Sequence, residues 1–345
     1  MMDLGVTAGG LRLKNPLVLA SAAYTSTAAG LRQHVGRGYG AVVTKTTTVG
    51  PLAGAPRPTV FWYDPEEKNL LSGAEGLRNP GADRMVEAIR RTAELAAEHG
   101  CRIIGSCSGN SLEEILSIAR RFEEAGVAAI ELNMVCPSTG PHLGEEYARL
   151  GKWWAEEAGR AVELVAAVKK TVRVPVWSKL PLAKLIEKPF LQALDRSSRA
   201  DAYSFVGGRM PNLKIDLATG KALLPGNLRL RAAKGLPISP MVTGPVKPST
   251  ILHTAYLAKL TRTPLVCSGG LTTGADILEA VMAGASAVQV CKAVYRDINA
   301  GPRMLEEMRQ LMEQYGYGGV EPLKGRVLTD LPDPPLLTVP GAKME

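Results

Sequence analysis

The sequence predicts an α/β chain closed into a (β/α)8 barrel of the TIM type. Short apolar, β-branched runs recur along the whole length, and helical patterns separate them. The runs are continuous rather than alternating, so both faces of each strand are expected to be buried under helices, as in a parallel sheet. Such units favour closure when they number eight; an open doubly wound sheet is the alternative arrangement.

The predicted strands are 17–21, 41–45, 102–107, 128–133, 174–179, 201–206, 264–268 and 286–291. Ahead of the first, Gly9-Gly10 sits between two short β-prone segments within 6–13, which reads as a hairpin capping the barrel bottom. Helix signals fill the gaps. Ser111 and Glu114 form an S-x-x-E capping box, and Leu112, Ile115, Ala119 and Phe122 then fall on one helical face. Met85, Ile89, Ala93 and Ala96 make a similar stripe. Two connections are too long for simple turns, 46–81 after strand two and 207–247 after strand six, and the loop after strand four runs to Lys152. In barrels such loops after strands build the active site. The strand-six loop is expected to contain an excursion hairpin, 213–217 with 222–224. Residues 1–320 are therefore assigned to one barrel and 321–345 to a Pro-rich tail that packs loosely or not at all. No internal repeat or interdomain linker is visible.

The bulk properties agree. Hydrophobic residues at 46% and a mean hydropathy of +0.02 suit a soluble chain of 345 residues with a sizeable core. The net charge of +8 comes from 41 basic and 33 acidic residues without a basic run, so it argues against a nucleic-acid partner and reads mostly as solvated surface. The five cysteines, Cys101, Cys107, Cys136, Cys267 and Cys291, contain no C-x-x-C pair or metal-ligand spacing, so no metal or cluster is expected. No leader and no bilayer-length apolar stretch stands out, which points to a reduced cytoplasmic protein without a membrane partner.

Polar residues at strand C-termini are informative, because a barrel strand otherwise buries apolar side chains and its top faces the ligand. They are Ser21, Lys45, Asn133, Lys179 and Ser268-Gly269-Gly270. A lysine ending a buried strand is costly unless it meets an anion or water. Lys45 and Lys179 therefore either share an electron-rich ligand or reach solvent past the rim. Gly269-Gly270 leads through Thr272 and Thr273 into a helix near Gly274, where backbone amides and the helix dipole suit a phosphate. Strand eight ends beside it at Cys291-Lys292. Cys136, three residues beyond Asn133, is a candidate base. A buried structural thiol is the other reading, and Cys107 at the end of strand three is its rival.

Taken together, these segments resemble the dihydroorotate dehydrogenase family over residues 4–315. The resemblance is carried by Val43-Thr44-Lys45-Thr46-Thr47-Thr48 with Arg57-Pro58, by Gly76-Leu77-Arg78-Asn79-Pro80-Gly81, and by the N-x-x-C-P element ending in Cys136-Pro137. Gly244-Pro245-Val246-Lys247-Pro248, Ser268-Gly269-Gly270 and 283–288 complete it. It implies an FMN cofactor with Ala20, Ser21, Lys45 and Asn133 near the flavin ring, Lys179 beside its N1 and O2, and Gly244, Ser268, Gly269, Gly270, Cys291 and Lys292 toward the phosphate side. It also implies a CH–CH oxidoreduction in which Cys136 moves the proton, flavin N5 takes the hydride, and Lys45 and Asn133 flank the reacting atoms. Cys136 stands where class 1 enzymes carry their base and class 2 enzymes carry serine. Class 2 also has an N-terminal membrane segment that is not seen here.

By the same resemblance, Gly73, Gly76, Leu77, Ser138 and Gly207 border the substrate. Gly73, Ser138 and Gly207 stand where the family usually places asparagines around orotate. Each unmatched polar group of a pyrimidine costs about 1–3 kcal/mol, so the departures point away from orotate. A dihydropyrimidine dehydrogenase-like reductase of another activated C=C is the alternative, although its cysteine lies further along the loop than Cys136. A non-catalytic FMN-holding subunit is a third reading. No G-x-G-x-x-G fingerprint or cluster cysteine identifies an electron partner. A nicotinamide donor would call for a separate electron-transfer subunit, while fumarate and quinone remain open. Self-association into a homo-oligomer is expected from the base rates of such barrels.

Overall fold

A computed structural model describes residues 2–62, 66, 68, 71–136, 139–207, 210–211, 214–224, 226–236, 241–243 and 246–334. Its centre is a closed barrel of parallel strands, in chain order Leu17–Leu19, Ala41–Val43, Arg102–Cys107, Ala129–Asn133, Val176–Pro181, Ala202–Val206, Leu265–Ser268 and Ala285–Val290. Closure comes from pairing the last with the first, Val288 opposite Leu17 and Val290 opposite Leu19. The strands are almost wholly buried, as continuous apolar runs between a barrel interior and a helical jacket require. All eight predicted strands are found. Several are shorter at the top than their apolar runs, because Ser21 and Lys45 lie past the last ladder pair, where the backbone turns toward the mouth.

The helical jacket follows the predicted stripes. Ala82–Glu98 buries Met85, Ile89 and Ala96, and Leu112–Glu124 buries Ile115, Ala119 and Phe122. Ser111 Oγ accepts the Glu114 amide at 3.3 Å, while the Glu114 carboxylate returns to the amide of Asn110 at 2.7 Å rather than to Ser111. Trp177, fully buried, donates from Nε1 to Gly9 O at 2.9 Å and so fastens the hairpin Val6–Ala8 with Leu11–Leu13 under the barrel.

Two features differ from the sequence reading. The long loops after strands two and six join in a four-stranded antiparallel sheet over the mouth, ordered Met210–Pro211, Met241–Thr243, Leu71–Gly73, Val60–Trp62. The expected hairpin is present beside it as Lys214–Asp216 with Lys221–Leu223. The tail is the second difference, because its described part does not hang free. Leu323 is buried, Gly325 N donates to Val281 O at 3.0 Å, and Lys324 Nζ lies 2.5 Å from Ser286 Oγ. Leu323, which ends the first of two short 3-10 turns, gives the Pro-rich segment something to bury. Residues 335–345 lie outside the described residues.

Candidate active site

The tops of the first four strands are tied together by hydroxyls. Ser21 Oγ accepts the Thr46 amide at 2.8 Å and lies 3.2 Å from Thr46 Oγ1, which in turn lies 2.9 Å from Ser106 Oγ. Asn133 Nδ2 donates to the same Thr46 Oγ1 at 3.0 Å. The other end of that carboxamide accepts the amides of Val135 and Cys136, each at 3.1 Å. Asn133 therefore sets the direction in which the chain leaves strand four, and with it the place of Cys136. The carbonyl of Cys136 is held by Lys152 N at 3.2 Å and Thr139 Oγ1 at 3.3 Å. Gly151 crosses so closely that a Cβ there would lie 2.4 Å from the Cys136 carbonyl oxygen. The half-buried thiol packs against a small apolar cluster of Leu52, Leu77, Tyr147 and Leu150.

Both strand-end lysines have carboxylate partners. Lys45 Nζ lies 2.8 Å from Glu75 Oε2, in the strand-two loop. Lys179 Nζ lies 3.3 Å from Glu131 Oε1 and 3.1 Å from Gln289 Oε1. Glu131 is completely buried and also accepts from Ser204 Oγ at 3.1 Å and Gln289 Nε2 at 2.5 Å. The fate of a buried lysine is thus pairing, not escape to solvent. Burial holds the Cys291 thiol above its usual range, and the Tyr24 hydroxyl, Lys179, Glu75 and Lys45 follow as influences on it, so these groups share one neighbourhood at the mouth.

The glycine pair after strand seven has φ of +117° at Gly269 and +75° at Gly270. A Cβ on Gly270 would lie 2.5 Å from Lys247 N, and one on Gly269 would lie 3.0 Å from Thr250 Oγ1, so only glycine leaves this backbone open. The following helix, Gly274–Met282, does not offer its N-terminus as expected. Asp276 Oδ2 accepts the amides of Thr272 at 2.6 Å and Thr273 at 2.9 Å, and Glu307 Oε2 accepts that of Gly274 at 2.7 Å. Carboxylates of the chain itself hold those donors, so the N-terminus of this helix is already satisfied.

The thiols separate by burial. Burial, and next the charge of Glu131, pushes the Cys107 thiol up to about 12. Burial likewise raises Cys101 and Cys267 to about 12. These three are core side chains, whereas Cys136 opens toward the mouth loops. Beside the strand ends lies an apolar cavity of about 390 Å³, walled by Val135, Leu182, Ile186, Val206, Gly207 and His253.

The comparisons with known proteins converge on the same architecture. The model of the family Dihydroorotate dehydrogenase matches residues 3–203 and 228–312. The chain belongs to the dihydroorotate dehydrogenase family. It is 29% identical over 333 residues to the catalytic subunit of dihydroorotate dehydrogenase B (NAD(+)) from Thermoplasma acidophilum, covering 94% of this chain and 99% of that one. The corresponding subunit from Methanocella arvoryzae is 33% identical over 302 residues, covering 86% and 89%. A crystal structure of DHODH in complex with ferulenol from Eimeria tenella superposes with a TM-score of 0.72 at 17% identity, over 96% of this chain and 89% of that chain, which speaks for the fold.

Dihydroorotate dehydrogenases are oxidoreductases, and the family match is interrupted at 204–227, where the strand-six loop makes its excursion. Of the residues expected to border a substrate, Gly76, with φ +66°, and Leu77, with φ +57°, lie in the loop next to Glu75, and Leu77 packs in the cluster that holds Cys136. Gly73 ends the loop strand paired with Val60, and a Cβ there would meet Val60 at an ordinary 3.5 Å. Gly207 lies elsewhere, against Thr250, where a Cβ would come within 2.0 Å of Oγ1; its amide donates to Ser268 O at 2.7 Å. It is a neighbour of the glycine pair, and the helix behind it leaves no room for a side chain. Ser138 and Gly244 lie outside the described residues. Ala20 is buried, with its amide on Val290 O at 2.9 Å, and Ser268 Oγ is turned back onto Phe205 O at 2.9 Å. Sequence reasoning missed Glu75, Thr46, Ser106 and Gln289. Of these, only Thr46 sat inside a quoted motif.

Proposed function

We propose that this chain is an FMN-dependent oxidoreductase acting on a CH–CH bond, with Cys136 as the proton-transfer base. The observation that carries the reading is the double use of Asn133: one end is fixed on Thr46 at the strand tops, and the other holds the amides of Val135 and Cys136. A base has to be positioned before its chemistry matters, and this carboxamide positions it.

The residues present fit the cofactor. The open backbone at Gly269 and Gly270, next to Cys291 and Lys292, suits a phosphate, and the apolar cavity beside Gly207 lies alongside that loop. Lys45 and Lys179 would border the ring with Ala20, Ser21 and Asn133. FMN supplies the hydride chemistry when bound. Lys179, held by Glu131 and Gln289, offers a fixed ammonium to an electron-rich ring edge. Cys136 removes or returns a proton on the carbon alpha to a carbonyl, and the loop over it, from Thr139 to Trp154, keeps bulk water away. Orotate remains a poor candidate substrate: Gly73 and Gly207 bring no side-chain amide, and Ser138 brings none by sequence. The curated relatives named as catalytic subunits support a separate electron-transfer subunit as the partner.

The experiment is anaerobic stopped-flow bleaching of the flavin, with dihydroorotate and 5,6-dihydrouracil as reductants. The protein purifies yellow, and Cys136→Ala keeps its FMN while bleaching slows by roughly 100-fold; Cys107→Ala bleaches at the parental rate. Unchanged bleaching in Cys136→Ala sinks the base assignment. A colourless protein that takes up no added FMN sinks the cofactor.

A further inference from the structure

We propose that Glu75 is a specificity-determining residue: the site takes an uncharged or cationic substrate that presents an N–H to this carboxylate, and turns away one carrying a carboxylate at that end. The inference rests on the barrel mouth being the substrate site.

The argument is one of charge. Two lysines reach the mouth from the barrel strands, and each is already balanced. Lys179 belongs to the fully buried Glu131. Lys45 belongs to Glu75 at 2.8 Å, with side-chain exposures of 9% and 26%. Among the described residues, each of these two ammonium groups is matched by a carboxylate of the chain itself, so Lys45 is not left over to receive a second anion. A substrate carboxylate arriving there either displaces Glu75, stranding a partly buried charge, or shares one ammonium with it at close range. Both are unfavourable where water is scarce. An N–H or an ammonium meets the opposite situation, because an ionised carboxylate has about four lone-pair sites and Lys45 occupies one.

Glu75 cannot readily withdraw. Its carbonyl accepts the Ala55 amide at 2.8 Å, and a Cβ on Gly54 would lie 2.5 Å from that same oxygen. Beyond it the chain reverses through the positive φ of Gly76 and Leu77, and Leu77 is buried in the cluster against which Cys136 packs. Arg78 adds a hydrogen bond from Nη2 to Ala55 O at 3.3 Å. The carboxylate is thus held on the same wall as the thiol, close enough to act on Cys291 and Tyr295 across the mouth.

The test compares two ligands that differ in one charge, orotate and its uncharged carboxamide, by isothermal titration calorimetry on the FMN-loaded parent, Glu75→Gln and Glu75→Asp. The parent is expected to bind the carboxamide about 10-fold more tightly than orotate, Glu75→Gln to gain about 10-fold for orotate with the carboxamide changed by less than about 3-fold, and Glu75→Asp to keep the parental preference. Equal or tighter binding of orotate by the parent overturns the proposal. So does any failure of orotate to gain on Glu75→Gln, including the case in which it binds neither protein. Thermal melts of the three proteins separate misfolding from a change of preference. Flavin absorbance is recorded on each sample: loss of FMN speaks against the cofactor, and the charge comparison, which needs no turnover, is still read.

Discussion

The two lysine–carboxylate pairs at the barrel mouth differ in what surrounds them. Glu131 and Lys179 come from adjacent strands, and their charges are shared with Ser204 and Gln289 on two further strands, so the pair is a network inside the barrel. Glu75 and Lys45 join a loop to a strand end through one 2.8 Å contact, with Glu75 a quarter exposed. The first cannot be altered without leaving several buried groups unsatisfied. The second lies at the rim, where an entering ligand meets its carboxylate. The barrel thus carries one ion pair enclosed by the fold and one whose carboxylate a ligand meets.

The largest effect expected from this difference is on stability. Glu131→Ala leaves the Lys179 ammonium, the Ser204 hydroxyl and the Gln289 amide without their common acceptor, and is expected to cost about 3–5 kcal/mol, measured by urea unfolding. A cost under about 1 kcal/mol would remove the distinction between the pairs, because it would mean that the interior relaxes as easily as the rim.

The thiols sharpen the same contrast between interior and rim. Cys107 lies opposite Leu132, the residue after Glu131, and is pushed up to about 12, first by burial and then by the Glu131 charge. Cys136 is half-buried among the loops. With iodoacetamide on the folded protein near neutral pH, Cys136 is expected to be modified at least about 100-fold faster than Cys107, read by peptide mass spectrometry. Glu131→Gln should not make Cys107 a reactive thiol, since burial is the larger cause and remains. Rapid labelling of Cys107 in the parent would show that the interior opens.

Much of this was legible in the sequence, for reasons that also explain what was not. Eight apolar runs and their helices follow from local periodicity, and Lys45, Asn133, Lys179 and the glycine pair stood out because polar residues end apolar strands. Glu75 had no such mark, since its role depends on how a loop folds back over a strand end. Gln289 sits inside a buried strand, where only its partner on another strand explains it. The four-stranded sheet over the mouth consists of pieces of two or three residues from two distant loops, too short to show a period. The helix at Gly274 taught a different lesson. Thr273 and Asp276 spell a capping box, and reading that local signal first would have shown the helix N-terminus to be satisfied by its own chain before any phosphate was considered.

The smallest expected effect completes the comparison. Glu75→Gln keeps the shape of the side chain and removes its charge, leaving Lys45 at the edge of the mouth. Water can reach that edge, and the neutral amide still offers an oxygen to the ammonium, so the loss of stability is expected to be no more than about 1 kcal/mol by urea unfolding. The backbone ties of Glu75, its carbonyl on Ala55 N and the buried Leu77 two residues on, do not depend on the carboxylate and should hold the loop in place. A loss above about 2 kcal/mol would mean that this pair, like the interior one, supports the fold, and a charge needed for folding could not be given over to choosing a substrate. A small loss together with a changed ligand preference is the combination that separates the two pairs, because it assigns the energy of Glu131 to the barrel and that of Glu75 to what the barrel binds.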